Sequence, residues 1–345
     1  MRFYRLLLLG ATLLAFAVVT LGAYVRLSDA GLGCPDWPGC YGQLIGVPDA
    51  AHERASALAA FPDKPLVAHK AWKEMAHRYC AGALGLLIAL IAVVAWRQRS
   101  ALRQSPLLPS VLVAIVSFQA LLGMWTVTAL LKPMVVSAHL LGGMTTLALL
   151  VWLLLRQRPQ VRVRPAEGLV LPAALALLVV VMQIALGGWV SSNYAALACS
   201  DFPTCLGAWL PEMDFARAFQ LHRDLGLNAD GTLLSNAALT AIHWSHRVGA
   251  LIVALVVGRL VLLLARRRDW RTWGLLLGGA LAAQIGIGIA NILLSLPLPL
   301  AVAHNAGAAI LLCLILALNL RLWQSASEST ASSRPGPQLQ QSAVS

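Results

Sequence analysis

Long apolar segments dominate the chain and are separated by shorter polar ones. Eight of these segments are long enough to cross roughly 30 Å of hydrocarbon as an α-helix. They lie near residues 6–26, 77–96, 107–131, 134–155, 169–190, 242–264, 272–294 and 300–322. The pattern therefore predicts an all-α integral membrane protein with eight transmembrane helices.

Polar positions between these segments repeat 165 residues apart. Residues 22–40 (GAYVRLSDAGLGCPDWPGC) align without gaps with residues 187–205 (GGWVSSNYAALACSDFPTC), with eight identities in nineteen positions. The repeat also pairs Gln119 with Gln284, Gly123 with Gly288, His139 with His304 and, after a four-residue insertion in the second copy, His77 with His246. Each copy has four spans, so both copies enter the membrane in the same orientation. We therefore predict two tandem four-helix bundles related by a pseudo-twofold axis along the membrane normal.

The repeat divides the chain into two halves and a tail. The N-terminal half covers residues 1–160 and has an outer loop at 28–73, and the C-terminal half covers 161–324 and has an outer loop at 191–240. The tail, 325–345, is rich in Ser, Gln and Pro, and we expect it to be disordered. The composition, 59% hydrophobic and 12% charged, has too little charge for a soluble chain of 345 residues.

Basic residues indicate the orientation of the spans. The net charge is +12, and much of it comes from basic residues at the N-terminus and in three connections on one side of the membrane. These residues are Arg2, Arg5, Arg97, Arg99, Arg103, Arg156, Arg158, Arg162, Arg164, Arg266–Arg268 and Arg271. By the positive-inside rule this side is cytoplasmic, which places both termini in the cytoplasm and the outer loops in the periplasm of a cell with an inner membrane. The basic residues flank spans instead of forming a stripe, so we expect no nucleic-acid partner.

Four cysteines form two close pairs in the outer loops. Five residues separate Cys34 from Cys40, and five separate Cys199 from Cys205. Because the outer side of such a membrane is oxidising, a disulfide within each pair is chemically reasonable. A zinc site is disfavoured by the spacing and by the lack of a second pair in the same loop. Both a structural and a redox role remain open. We expect the other two cysteines, Cys80 and Cys313, to be small core residues.

Two matched pairs of histidines lie within the spans. His77 and His246 stand at the outer end of the second span of each half, and His139 and His304 stand near the same face in the fourth. An ionisable side chain inside a span is costly and indicates function. In lipid, two histidines on neighbouring helices are typical ligands of heme iron, so the pairs predict two heme sites. We expect the loop histidines to be solvated; they are His52, His69 and His222.

Charged residues near these histidines distinguish the two halves. Glu74 lies one turn before His77 on the same helix face, whereas its counterpart in the second copy is His243. We predict that Glu74 is catalytic, as a proton acceptor or as a group that stabilises positive charge. The alternative is a glutamate favoured by the dipole at a helix start. Arg78 and Arg247 follow the histidines, and we predict that they bind heme propionates; snorkelling is the alternative.

Taken together, the loop sequence RLSDAGLGCPDWPGC, the span opening EMAHR and the eight spans in two halves resemble the heme A synthase family. The resemblance covers the whole chain except the tail. It implies oxidation of the C8 methyl group of heme O to the formyl group of heme A through an alcohol. His77 and His139 would frame the substrate heme O, and His246 and His304 would hold a heme b cofactor. It further implies that Glu74 is required and that the Cys34–Cys40 pair is linked to activity.

The resemblance also implies partners. Heme O synthase would supply the substrate, the assembly of heme–copper oxidases would receive the product, and the electron acceptor and a homo-oligomeric state are left open. One rival interpretation is a di-heme b-type electron-transfer protein linked to quinone, which explains four histidines but not the contrast between Glu74 and His243. The other rival is a transporter, which fits the duplication but predicts helices broken near the bilayer midplane.

Overall fold

The described part of the chain is helical apart from its loops and three isolated β-bridges. In the computed structural model, the residues described are 2–102, 104–157 and 168–332. The helices are α1 (Arg2–Leu27), α2 (Ala51–Ala60), α3 (Ala68–Arg97), α4 (Arg99–Leu102), α5 (Leu107–Thr128), α6 (Pro133–Arg156), α7 (Val170–Ser192), α8 (Phe215–Ala218), α9 (Asn236–Ala265), α10 (Arg271–Leu293) and α11 (Leu298–Ser332). A short 3-10 turn at Arg268–Trp270 precedes α10.

Eight of these helices are long and apolar enough to cross a membrane, as predicted from the sequence. They are α1, α3, α5, α6, α7, α9, α10 and α11. The outward surface of the bundle is itself apolar: Leu86 is 76% exposed and Leu255 is 65% exposed. Large exposed leucines are costly in water but are suited to contact with lipid tails. The all-α membrane fold is therefore confirmed.

Two of the spanning helices begin earlier than their apolar segments. Helix α3 begins at Ala68 instead of near residue 77, and α9 begins at Asn236 instead of near 242. Hydropathy marks the part of a helix that lies in hydrocarbon, whereas backbone hydrogen bonding continues through the polar turns beyond it. As a result, His77 and His246 lie in the third helical turn and not at a helix start.

Helix packing is the same in the two halves. In the first half, α1 contacts α3 and α6, and α5 contacts the same two helices. In the second half, α7 contacts α9 and α11, and α10 contacts the same two. Between the halves, α1 packs on α11, α6 on α7, and α6 on α11. This arrangement is consistent with two tandem four-helix bundles.

Repeat-related residues touch each other at the outer ends of α1 and α7. Arg26 donates an Nη2 hydrogen bond to the carbonyl of Ser191 at 2.8 Å, and its guanidinium lies 3.9 Å from the ring centroid of Tyr194. The hydroxyl of Tyr194 is 3.1 Å from Asp29 Oδ1. Arg26 and Ser191 are 165 residues apart, as are Asp29 and Tyr194. Residues contact their own equivalents only near a twofold axis, so these contacts support the predicted pseudo-twofold relation.

The C-terminal boundary differs from the prediction. Helix α11 continues to Ser332, so the first residues of the segment predicted to be disordered are helical. The rest of that segment, 333–345, lies outside the described residues. Four of the basic residues used for the orientation also lie outside them: Arg103, Arg158, Arg162 and Arg164.

Candidate functional site

Each half brings its two predicted histidines together between two helices. The ring centroids of His77 on α3 and His139 on α6 are 6.5 Å apart with an interplanar angle of 79°. Those of His246 on α9 and His304 on α11 are 6.5 Å apart at 76°. Metal–imidazole bonds are about 2.0 Å long, so rings on opposite sides of one metal ion have centroids roughly 6.5 Å apart. Both pairs therefore have the separation of two axial ligands to one iron.

A glycine on the neighbouring helix lies against each histidine ring. The pairs are Gly22 with His77, Gly123 with His139, Gly187 with His246, and Gly288 with His304. A Cβ at these glycines would lie 2.9 to 3.4 Å from the Cε1 atom of the ring. Small residues of this kind let membrane helices approach closely. The four glycines therefore fix where each ring sits.

The donor set at these pairs fits heme better than a non-heme metal ion. The Nδ1 atoms of His77, His139 and His304 are buried and have no hydrogen-bond partner among the described residues, so internal hydrogen bonding does not explain their placement. In the described part of the chain, no group of three or more His, Cys, Asp or Glu side chains is placed to hold a metal ion. Non-heme centres usually need at least three protein ligands, whereas a porphyrin supplies four nitrogens and leaves only two positions to histidine.

Glu74 is buried and binds the first outer loop. The residue is only 5% exposed. Atom Oε2 accepts a hydrogen bond from the backbone N–H of Cys34 at 3.0 Å, and Oε1 pairs with Arg78 Nη2 at 2.5 Å. Since α3 begins six residues earlier, at Ala68, the helix-start explanation of Glu74 is wrong. The carboxylate instead links the histidine-bearing face of α3 to the disulfide loop.

His243 occupies the equivalent place in the second half. Its Nδ1 atom accepts a hydrogen bond from the backbone N–H of Cys199 at 3.1 Å. Arg247 Nε lies 3.4 Å from His243 Nε2. A neutral acceptor thus replaces a carboxylate at a matching position. His243, whose role the sequence left open, belongs to the loop contact and not to the histidine pair.

Both arginines after the histidines hold their loops through backbone carbonyls. Arg78 Nη1 donates to the carbonyls of Asp36, Pro38 and Gly39 at 3.0, 3.2 and 2.5 Å. Arg247 donates to the carbonyls of Cys199, Asp201 and Thr204 at 2.8, 2.8 and 2.7 Å. The propionate contacts suggested for Arg78 and Arg247 stay a prediction. Both guanidinium groups already donate hydrogen bonds to loop carbonyls, so a propionate would have to bind beside those carbonyls.

Both cysteine pairs are disulfides. The S–S distance is 2.04 Å for Cys34–Cys40 and 1.98 Å for Cys199–Cys205, with Cα atoms 4.8 and 4.7 Å apart. The disulfide prediction is confirmed and the zinc alternative is wrong. An aspartate organises the turn within each loop. In the second loop, Asp201 accepts hydrogen bonds from the Thr204 hydroxyl and from the N–H groups of Leu206 and Gly207, and these bonds lower the pKa of Asp201 to about 2.

Three glutamines contact the helical turns that carry the histidines. The repeat in the sequence marks two of them, Gln119 and Gln284, but gives no sign of their contacts. Gln119 and Gln284 donate Nε2 hydrogen bonds at 2.9 Å to the carbonyls of His139 and His304 respectively. Gln183 donates to the carbonyl of His246 at 2.9 Å and lies 3.1 Å from its Nδ1 atom. Sequence reasoning missed Gln183 because its counterpart in the first copy is Val18.

The remaining histidines and cysteines lie apart from these pairs. His52, His69 and His222 are exposed, as expected, although His52 lies in α2 and His69 in the first turn of α3 instead of in loops. Cys80 and Cys313 are free and partly buried, in agreement with their prediction as helix-core residues.

The fold and the site define an eight-helix membrane protein with two matched histidine pairs of the kind that coordinate heme iron. The COX15-CtaA family model, described as a cytochrome oxidase assembly protein, matches residues 5–316. The chain belongs to this family. It is 44% identical over 284 residues to a heme A synthase from Shewanella oneidensis, covering 80% of this chain and 84% of that protein.

More distant relatives carry the same name. A heme A synthase from Caulobacter vibrioides is 29% identical over 277 residues, covering 74% of this chain and 76% of the relative. One from Halalkalibacterium halodurans is 27% identical over 254 residues, covering 71% and 78%. The similarity thus spans most of both halves.

Proposed function

We propose that this protein is a heme A synthase, which oxidises the C8 methyl group of heme O to the formyl group of heme A. Family membership supports the activity, and the observation that carries it at the site is the difference between two otherwise matching halves. A buried carboxylate, Glu74, lies one turn from one histidine pair, whereas His243 stands at the same place near the other. Two equal electron-transfer sites would not need this difference.

The difference assigns a role to each half. In this proposal, His77 and His139 bind the substrate heme O, and His246 and His304 bind a heme b cofactor. When bound, heme b supplies reversible one-electron transfer. The matched ring separations support one kind of ligand in both places, and the carboxylate distinguishes the half where the substrate reacts.

Chemistry at the methyl group makes a nearby proton acceptor useful. Oxidation of the methyl group to an alcohol removes two electrons, and a second two-electron oxidation gives a geminal diol that loses water to become the aldehyde. With water as the source of oxygen, each oxidation adds one oxygen atom, passes two electrons to an external acceptor and releases two protons. Glu74 would accept a proton at its carboxylate or stabilise developing positive charge, while Arg78 and the N–H of Cys34 hold that carboxylate in place.

The cellular setting follows from the charge distribution and the family. We propose that the protein lies in the cell inner membrane with both termini in the cytoplasm and the disulfide loops in the periplasm. Heme O synthase would supply the substrate, and cytochrome oxidase assembly would receive the product.

Identifying the hemes bound to the purified protein tests the proposal. The protein would be produced in cells that also make heme O, and the hemes would be extracted and separated by chromatography. Heme B together with heme O, its hydroxylated form or heme A is the expected result. Heme B alone would support the di-heme electron-transfer protein instead. The absence of heme would overturn the ligand assignment and favour a transporter.

A further inference from the structure

A four-part contact occurs at three of the four histidines. One helix carries a glutamine and, four residues later, a glycine; its neighbour carries the histidine and, three residues later, a second glycine. The three sets are Gln119 and Gly123 with His139 and Gly142, Gln183 and Gly187 with His246 and Gly249, and Gln284 and Gly288 with His304 and Gly307. We call the bond from the glutamine amide to the histidine carbonyl the glutamine clasp.

The two glycines in each set have different structural roles. The first lies against the histidine ring, as described above. The second makes room for the glutamine, because a Cβ at Gly142, Gly249 or Gly307 would overlap the side-chain amide. The amide then reaches the histidine carbonyl at 2.9 Å in all three sets. The ring and the backbone of these histidines are thus both fixed by the neighbouring helix.

His77 lacks the clasp. Gly22 still lies against its ring, since a Cβ at Gly22 would be 2.9 Å from Cε1. However, Val18 stands where the second half has Gln183, and Cys80 stands where it has Gly249. Val18 packs against the apolar core, and within the described residues no side chain donates to the His77 carbonyl. Of the four paired histidines, the one on α3 that is predicted to face substrate is therefore the one whose carbonyl receives no glutamine amide.

We infer that Gln183 is a positioning residue that keeps heme b bound in the C-terminal half, and that its replacement by Val18 in the N-terminal half lets His77 release heme. This inference rests on the proposed function. A cofactor must stay bound over many turnovers, whereas a substrate must enter and its product must leave. A ligand on a fixed backbone rebinds iron quickly after a bond breaks, and outer contacts of this kind change metal-site affinity by about tenfold or more.

Among the described residues, the Gln183 clasp is the one clasp that has no counterpart in the other half. Gln119 and Gln284 hold His139 and His304 alike, so the fourth-span ligand is fixed in both halves. The difference lies at the second-span histidine. The carbonyl of His246 accepts a hydrogen bond from a glutamine amide, whereas the carbonyl of His77 does not. We therefore expect loss of the clasp to speed heme release from the C-terminal half, and a new clasp to slow heme release from the N-terminal half.

Removing the amide at position 183 is the first experiment. Gln183→Met keeps the length of the side chain but cannot donate a hydrogen bond. The purified holoprotein would be mixed with excess apomyoglobin, and transfer of heme b would be followed by absorbance. We expect release about tenfold faster than from the unmodified protein, together with shifted low-spin electron paramagnetic resonance signals, which report ligand-ring orientation.

A matched control separates positioning from general loosening of the bundle. Asn319 donates an Nδ2 hydrogen bond to the Ala173 carbonyl at 2.9 Å, joining α11 to α7 in the same half without touching a histidine. Asn319→Leu removes a comparable bond between helices. It is expected to lower thermal stability while leaving the heme b release rate and the resonance signals unchanged.

The reciprocal change builds the clasp at His77. Val18→Gln with Cys80→Gly reproduces the set found at His246, and it is expected to slow release of heme O from the N-terminal half by a similar factor. If this double variant does not fold, Gln183→Met still decides the inference. Release of heme b at the unmodified rate from Gln183→Met overturns the inference alone. An unmodified protein that binds no heme overturns the proposed function and the inference together.

Discussion

At the scale of single residues, the two halves differ most in what holds their disulfide loops. Glu74 and Arg78 form a buried ion pair whose side chains are 7% and 12% exposed. Removing one member of such a pair usually costs 3–5 kcal/mol because a charge is left unpaired. In the second half, the Arg247 guanidinium stands beside the neutral His243, and its charge is stabilised by hydrogen bonds to carbonyls of the loop. The second half thus demonstrates that the loop can be held without a carboxylate.

This comparison separates the structural role of Glu74 from a catalytic one. We predict that Glu74→His, which copies the second half, keeps the Cys34 loop ordered and the heme b content unchanged. Because the proton acceptor is lost, heme A formation should fall at least about 100-fold. Heme chromatography measures the yield, and the reciprocal His243→Glu is the matched control, for which the yield should be retained. Normal heme A formation by Glu74→His would remove the carboxylate from the mechanism.

At the scale of helices, close approach of glycine to histidine decides where the histidine rings lie. Gly286 and Gly288 both lie in α10, yet of these two only Gly288 contacts a histidine. A Cβ at Gly288 would be 2.9 Å from His304 Cε1, whereas a Cβ at Gly286 has no atom within 4 Å. The neighbouring positions therefore form a natural pair for comparison.

We predict that Gly288→Ala displaces the His304 ring and weakens heme b binding about tenfold or more, since overpacking of this kind costs roughly 1–3 kcal/mol. Gly286→Ala should bind heme b normally. The heme-to-protein ratio after purification, measured by the pyridine hemochrome spectrum, checks both variants. Equal heme content in the two would show that the ring tolerates the added methyl group.

The two disulfide loops are equivalent in geometry but not in what they contact. Each disulfide closes a loop with a sequence separation of six, which stabilises it by about 2 kcal/mol in the chain-entropy model. We predict that Cys34→Ala/Cys40→Ala and Cys199→Ala/Cys205→Ala increase proteolysis of their loops to a similar degree. Only the first change should lower heme A yield strongly, because it loosens the loop whose backbone N–H at position 34 holds Glu74. A strong loss from the second change alone would contradict this assignment.

At the scale of the whole molecule, duplication produces two matching histidine pairs at equivalent positions in the two halves. Contacts between Arg26 and Ser191 and between Asp29 and Tyr194 place the outer ends of α1 and α7 near the pseudo-twofold axis. The histidine pairs therefore lie on opposite sides of that axis, both below the disulfide loops.

The charge pattern makes the orientation testable. We predict that alkaline phosphatase fused after Asp63 or after Asp224, in the outer loops, is active, because the enzyme folds only in the periplasm. Green fluorescent protein fused after Gln104 or after Arg267 should fluoresce, since those connections carry the basic residues of the cytoplasmic side. The opposite pattern of the two reporters would reverse the orientation.

Sequence reasoning reached the fold and the two histidine pairs but not all of their surroundings. It found eight spans because hydropathy directly reports the portion of a helix in hydrocarbon, and it found His77, His139, His246 and His304 because they repeat. It placed the start of α3 too late, since the polar turns from Ala68 onward have no hydropathy signal. It missed Gln183 because a residue that differs between the copies does not stand out in a repeat.

The sequence by itself determined the number of spans, the two cysteine pairs and the contrast between Glu74 and His243, because these depend on residue type and on spacing along the chain. Tertiary structure decided what each side chain contacts. Only packing between helices shows that Gln183 bonds to the His246 carbonyl and that Arg78 holds the carbonyls of the first loop. Such contacts join residues 39 to 63 positions apart, and their geometry depends on how closely helices and loops approach one another, which local sequence does not encode.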